Sequence, residues 1–140
     1  MAFWNVDLTT EDGALGAAQI GGFACFVAAG LGVLGAAAIF AFGRSSGPPT
    51  AAVIGAAAAL VEALVFAIAG LRLRAGKGIV WGSVSAVLLL LEIVAKIAAL
   101  AIPGIIINGI VLVGVINGIR GVRALRRVDL SSDDAAEIFS

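Results

Sequence analysis

The chain contains an uncharged stretch that is long enough to cross a lipid bilayer as a single helix. It extends from Ala14 to Gly43 and lies between Asp12 and Arg44. A hydrocarbon core needs about 20 helical residues. Hydrophobic residues make up 61% of the 140 residues and charged residues 13%, against about 45–50% and about 25% in soluble domains. The sequence therefore predicts an all-α integral membrane protein.

Three further spans are expected after this one. The second begins after the Gly47–Pro49 turn, with Thr50 as its N-cap, and ends at Arg72. Residues 78–119 are too many for one span, and Pro103-Gly104 is the expected turn between two. We predict a four-span transmembrane domain over 13–127, with helices over about 13–43, 50–72, 79–101 and 104–123, an interfacial segment over 1–12 and an acidic cytoplasmic tail over 128–140.

The distribution of basic residues separates this arrangement from a three-span alternative, in which residues 78–119 form one kinked helix. With four spans, one side of the membrane holds most of the basic residues, which are Arg72, Arg74, Lys77, Arg120, Arg123, Arg126 and Arg127. The other side holds only Arg44. Cytoplasmic loops are enriched in Lys and Arg, so the sequence predicts an antiparallel four-helix transmembrane bundle with both termini cytoplasmic. The Ala- and Gly-rich composition is typical of a bacterial inner membrane protein.

The two ends of the chain carry further signals. Thr9 or Thr10 is expected to cap the first helix, whose first turn then contains two acidic residues. Phe3 and Trp4 are expected at the membrane interface. In the tail, residues 131–134 read as the start of a short helix. The arginines Arg120, Arg123, Arg126 and Arg127 are expected to set topology and to attract anionic lipid.

Composition also excludes several classes of function. The chain has no His or Tyr and a single Cys, and its nine basic and nine acidic residues cancel. His-ligated zinc and catalytic triads are therefore excluded within the chain, and no net positive field favours nucleic acid. We predict no metal, no cofactor and no enzymatic activity.

Small residues mark the expected contact faces, because helices in lipid associate through close packing of their backbones. Such residues recur at four-residue spacing on spans one, two and four, and the packing positions predicted from them are Gly32, Gly55, Gly114, Asn117 and Gly118. Spans one, two and four are expected to approach one another closely. The Leu-rich face of span three, Leu88–Leu91, is expected to meet lipid. Some of the small-residue rows are equally suited to a subunit interface, which predicts self-association.

Polar residues inside the spans carry the most information about function. Glu62 lies midway along span two, Glu92 and Lys96 lie one helical turn apart on span three, and Asn108 lies on span four. Counting from the span ends places all four in the outer half or at the midplane, where a polar cluster is expected. Glu92 and Lys96 have the favourable order for an i,i+4 ion pair. Glu62 has no partner nearby in the sequence, and unpaired intramembrane carboxyls mark ion and proton pathways.

One segment resembles a known family. The stretch from Gly55 to Phe66, with its Ala-rich approach to Glu62, is similar to the carboxylate-bearing helix of rotary ATPase proteolipid subunits, in which the Glu carries a proton or a sodium ion. The resemblance covers about a tenth of the chain. The preceding loop, Arg44–Pro49, differs from the family's Arg-Gln-Pro loop, and two further spans follow. The family is therefore not assigned.

Two functions remain open on these grounds. The first is a small polytopic membrane protein with a structural or accessory role, which associates with the bilayer, with itself or with another membrane protein. The alternative is a component of a proton- or cation-coupled transporter or channel that uses Glu62.

Overall fold

The computed structural model describes residues 7–138, without the side chains of 44–46 and 128–138. Its regular structure over the described residues consists of four α-helices and contains no strand. The helices are α1 (Glu11–Ser46), α2 (Pro49–Arg74), α3 (Ile79–Ala98) and α4 (Ile102–Ile138). The expected interfacial anchors Phe3 and Trp4 lie outside the described residues.

The start of α1 follows the sequence prediction and the start of α2 does not. The Thr10 side chain accepts a hydrogen bond of 3.1 Å from the backbone N–H of Gly13, so Thr10 is confirmed as the N-cap of α1. Thr50 is not the N-cap of α2, because that helix already begins at Pro49, with Pro48 as the capping residue. Proline suits the first helical position, since its fixed φ is helical and its missing N–H would be unpaired there anyway.

The turn between α3 and α4 lies earlier than predicted. The third helix ends at Ala98 rather than at residue 101, and Leu100 adopts a left-handed conformation with φ of 54° in the turn. Pro103 is not in the turn but in the first turn of α4, where proline does not interrupt the hydrogen-bond ladder. The predicted span over 104–123 therefore begins two residues late.

The fourth helix is also longer than predicted. It runs for 37 residues without a break, about 55 Å at 1.5 Å per residue. Residues 131–134 therefore do not start a separate tail helix but continue α4. The side chains of the acidic tail lie outside the described residues.

Helix α1 is the centre of the packing. It packs most extensively against α2 and α4, while α3 packs against α4 and, less extensively, against α2. Residue numbers increase along α1 as those of the contacting residues on α2 decrease. The contacting pairs are Gly22 with Gly70, Gly32 with Ala63 and Gly43 with Ala52. The sequence predicts that spans one, two and four approach one another closely. Helix α1 does contact both α2 and α4, but α2 and α4 contact each other only slightly.

The outer surface of the four helices is apolar. Each helix is long and apolar enough to cross a membrane. Large hydrophobic side chains such as Phe23, Leu34 and Phe42 are 68% to 72% exposed, which a water-soluble protein of this size does not tolerate in such number. These features indicate a membrane protein. The Leu-rich row of α3 is divided, since Leu90 and Leu91 are exposed while Leu89 lies in the core.

Candidate functional site

A cavity of about 420 Å³ lies among the four helices. The polar side chains in its lining are Glu62 from α2, Glu92 and Lys96 from α3 and Asn108 from α4. The structure thus brings together the four residues that the sequence marked as a polar cluster. Apolar and small residues form the rest of the lining, and α1 supplies Ala28, Leu31, Gly32, Gly35 and Ile39.

Glu92 is the acceptor on which two of these side chains converge. The Lys96 ammonium donates to Oε2 of Glu92, and the Asn108 amide nitrogen donates to the same oxygen at 2.7 Å. Both donors favour the ionised form of that carboxyl, since a carboxylate accepts charge-assisted hydrogen bonds more strongly than a neutral acid does. The arrangement joins α3 to α4 through a polar contact inside an apolar bundle.

The local sequence explains why Lys96 points into the cavity. Glu92 and Lys96 are four residues apart, so they lie on one face of α3. Gly104 on α4 leaves the space that the Lys96 stem occupies, because a Cβ at Gly104 would lie 3.0 Å from Cδ and 3.2 Å from Cε of Lys96. The expected turn residue Gly104 therefore lies beneath Lys96, and the lysine pairs with Glu92 at the cavity.

Glu62 brings a second carboxyl to the same place. It is half-buried and lines the same cavity as Glu92, near enough for the two carboxylate charges to interact. Two ionised carboxylates at such a separation repel each other strongly. With Lys96 as the cavity's ammonium, the lining has a charge of −1 when both carboxyls are ionised and zero when one is protonated.

The inner wall of the cavity contains residues that the sequence reasoning did not assign to it. Phe66 and Leu89 are almost completely buried and line the cavity beside the polar cluster. The spacing of Phe66 four residues after Glu62 was the available signal, because it places both side chains on one face of α2. The sequence places Leu89 in the lipid-facing row, although it lies one turn before Glu92 on the same face of α3.

The predicted packing glycines lie at different contacts. Gly118 faces Gly21 on α1, where a Cβ at Gly118 would lie 2.7 Å from the Gly21 Cα. The carbonyl oxygen of Gly114 lies against the same Gly21. Gly114 and Gly118 are therefore at the α1–α4 contact. Asn117, next to Gly118 in the sequence, is buried.

The two predicted glycines of the other helices adjoin the contact between α1 and α2. A Cβ at Gly32 would lie 3.1 Å from the Ala63 Cβ, and one at Gly55 would lie 3.3 Å from the Ile39 Cγ2. Gly32 also lines the cavity. A larger side chain at Gly32 would therefore both separate the helices and fill the space next to Glu62.

The ligand chemistry of the site is limited. Among residues 7–138, as far as their side chains are described, no group of three or more His, Cys, Asp or Glu side chains is placed to hold a metal ion. At the cavity, Oε2 of Glu92 already accepts from an ammonium and an amide.

Comparison with known proteins assigns no family to this chain. No protein-family model matches it, and no curated protein or solved structure shows significant similarity to it. Function is therefore argued from the cavity.

Proposed function

We propose that this chain is a proton-binding component of a membrane transporter or channel, in which Glu62 takes up and releases the proton. The observation that carries the proposal is the meeting of the Glu62 and Glu92 carboxyls in one cavity beside the Lys96 ammonium. A net charge inside a low-dielectric bundle is costly. Binding of one proton, or of one positive charge, removes that cost.

The two carboxyls have different roles in this proposal. Glu92 stays ionised, since Lys96 and Asn108 both donate to it. Glu62 is the member that alternates, because its own ionisation adds the uncompensated charge. The proton on Glu62 is then directed at the Glu92 carboxylate, and its departure leaves a cavity that attracts another positive charge.

We further propose that the bundle is antiparallel in a bacterial inner membrane with both termini cytoplasmic. The loop after α2 and the basic part of α4 lie at one end, since a Cβ at Gly76 would lie 3.7 Å from Leu125. That end has the exposed basic side chains Arg72, Arg74, Lys77, Arg120, Arg123, Arg126 and Arg127. Such clustering supports a cytoplasmic location by the positive-inside rule, and the arginines of α4 are suited to anionic lipid headgroups.

The function is tested by proton movement in reconstituted vesicles. Purified protein is placed in liposomes that contain a pH-sensitive dye, and a potassium diffusion potential, negative inside, is imposed. We expect proton uptake above that of protein-free liposomes and its loss in Glu62→Gln. The matched control is Glu11→Gln, which removes an exposed carboxylate at the start of α1. Flux equal to protein-free liposomes, or unchanged in Glu62→Gln, contradicts the proposal.

The protonation itself is tested separately with a hydrophobic carbodiimide, which reacts with protonated carboxyls in apolar surroundings. Mass spectrometry is expected to locate the adduct at Glu62, with labelling that decreases as the pH rises. Labelling confined to Glu92 would reverse the assignment of the two carboxyls.

A structural or accessory role with self-association is the second candidate, and one surface favours it. A shallow apolar groove runs between α1 and α2, lined by small and aliphatic residues, among them Ala29, Gly30, Val33, Ala63 and Ala67. Small residues permit a second helix to approach closely in lipid. A Cβ at Gly30 would meet no described atom within 4 Å, so Gly30→Leu is expected to change the oligomer without disturbing the monomer.

The oligomer size in mild detergent tests this second candidate. If the groove holds a partner copy, Gly30→Leu shifts the population towards the monomer while Gly109→Leu does not. Gly109 is the matched control, since a Cβ there also meets no described atom within 4 Å. A wild-type protein that is monomeric at all concentrations in native mass spectrometry contradicts this role.

A further inference from the structure

We propose that the cavity binds an organic monocation with an apolar body, which takes the place of the proton on Glu62. This inference rests on the proposed proton-binding function and names the class of ligand that the same site takes. The observations behind it are the charge of the polar cluster, the small number of its oxygen ligands and the apolar character of the remaining walls.

The charge of the cluster selects a single positive charge. Glu62, Glu92 and Lys96 are the charged side chains in the cavity lining, and Asn108 is the polar neutral one. The lining residues that α1 contributes are apolar or glycine. With Glu92 and Lys96 paired, ionised Glu62 has one negative charge to be compensated, which a monocation does completely.

The cavity has too few oxygen ligands to bind an inorganic cation well. Hard cations such as Ca²⁺ and Mg²⁺ need about six oxygen ligands. The cavity offers the carboxylates of Glu62 and Glu92 and the amide oxygen of Asn108, and the Lys96 ammonium lies among them. An ammonium so close repels a second small cation that must contact the same oxygens. An organic cation spreads its charge over a larger volume and needs only one carboxylate.

The walls suit an apolar body attached to that charge. Leu31 and Ile39 face the cavity from α1, and Ile107 and Val111 face it from α4. Phe66 lies one turn from Glu62 on α2 and presents an aromatic ring, which attracts cationic groups. A volume of about 420 Å³ lies within the range of pockets that hold small organic ligands.

The exchange is balanced in charge and atoms. The O–H bond of the Glu62 carboxyl breaks, the proton leaves to water, and the carboxylate forms an ion pair with the incoming cation. One positive charge leaves for each that enters, so the cavity stays neutral and the Glu92–Lys96 pair is unchanged. Proton and cation compete for one carboxylate, so the affinity for the cation rises with pH, about tenfold for each pH unit below the titration of Glu62.

The test measures binding of benzyltrimethylammonium to the purified, detergent-solubilised protein by isothermal titration calorimetry. Titrations in two buffers of different ionisation enthalpy count the protons released. We expect saturable binding, release of about one proton per ligand at low pH, and at least tenfold weaker binding in Glu62→Gln. Glu11→Gln is the matched control and is expected to bind as the wild type does. Replacing lithium chloride in the buffer by sodium chloride at equal ionic strength is expected to leave the binding unchanged.

Three outcomes distinguish a failure of this inference from a failure of the proposed proton-binding function. If carbodiimide labels Glu62 but benzyltrimethylammonium does not bind, or binds independently of pH, the inference is overturned and the proton-binding function stands. If Glu62 is neither labelled nor needed for proton flux, both are overturned. If sodium competes at millimolar concentration, the site takes inorganic cations and the inference is wrong. Should Glu62→Gln fail to fold, the pH dependence and proton release of the wild type decide alone.

Discussion

The side-chain amide of Asn108 on α4 donates a hydrogen bond of 2.7 Å to Oε2 of Glu92 on α3, the same oxygen that accepts from Lys96. The two donors come from different helices, so the contact joins α3 to α4 and favours the ionised form of the Glu92 carboxyl. Glu62 approaches from α2 as the second carboxyl, with its charge unmatched. The proposed chemistry of the cavity follows from this asymmetry.

The asymmetry predicts different costs for removing the two charges. Lys96→Met leaves the Glu92 carboxylate without its ammonium and is expected to lower the free energy of unfolding by about 1–3 kcal/mol, discounted for its partial exposure. Glu62→Gln keeps the shape and a hydrogen-bond donor, so it is expected to change stability by less than about 1 kcal/mol. Thermal unfolding in mild detergent measures both, and the opposite order would make Glu62 the ionised partner.

The close contact between α1 and α4 predicts a packing effect. Gly118→Leu is expected to separate α1 from α4, because no side chain fits between Gly118 and the backbone of Gly21. Overpacking of this kind costs about 1–3 kcal/mol or more. Gly114→Leu is expected to act in the same direction, since the Gly114 backbone lies against Gly21 as well.

Gly109→Leu serves as the control for both, because space is open there. If Gly118→Leu and Gly114→Leu melt at the temperature of Gly109→Leu and keep the same oligomer size, the proposed α1–α4 contact is wrong.

The membrane topology is testable by cysteine accessibility on a Cys25→Ala background. Ala75→Cys tests the loop after α2 and avoids Gly76, whose φ of 69° disfavours a side chain. We expect an impermeant thiol reagent to label Gly47→Cys in intact cells and to label Ala75→Cys only after lysis. Labelling of Ala75→Cys in intact cells would invert the orientation.

The turn that precedes α1 contains hydrogen bonds whose contribution to stability depends on pH. The Thr9 hydroxyl donates to Asp7 at 2.5 Å and the Thr9 backbone N–H donates to the same oxygen at 2.9 Å. These hydrogen bonds hold the pKa of the Asp7 carboxyl below its usual value. Their stabilisation is present above the pKa of Asp7 in the unfolded chain, about 4, and is lost as the pH falls through the lowered pKa of Asp7 in the folded protein.

An NMR titration of the Asp7 carboxyl is expected to give a pKa below that of the same carboxyl in Thr9→Val. Equal values in the two proteins would show that the contact with Thr9 is not formed in solution.

The sequence predicted the helices better than their ends. The uncharged stretches predicted the helices, and the Thr10 cap predicted where α1 begins. Both signals are local, because apolar length and capping depend on neighbouring residues in the sequence. The end of α3 was missed because Leu100 adopts a left-handed turn, a conformation for which a leucine gives no signal. Pro103 was read as a turn residue, although proline is equally suited to the first turn of a helix.

The polar cluster was predictable only in part. Periodicity placed Glu92 and Lys96 on one face of α3, and depth along the spans placed Glu62 and Asn108 nearby. The convergence of both donors on one Glu92 oxygen depends on the rotation of α3 and α4 about their axes, which tertiary packing sets. The space that Gly104 leaves for Lys96 is likewise a property of two helices together, so no single segment encodes it.

The most direct measurement of the central claim is an infrared titration of the carboxyl groups in the reconstituted protein. A protonated carboxyl in an apolar cavity gives a carbonyl stretching band separate from that of a carboxylate. We expect such a band in the wild type, its decrease as the pH rises, and its absence in Glu62→Gln, while Glu11→Gln retains it. A band that persists unchanged in Glu62→Gln would show that Glu62 does not carry the proton and would contradict the account.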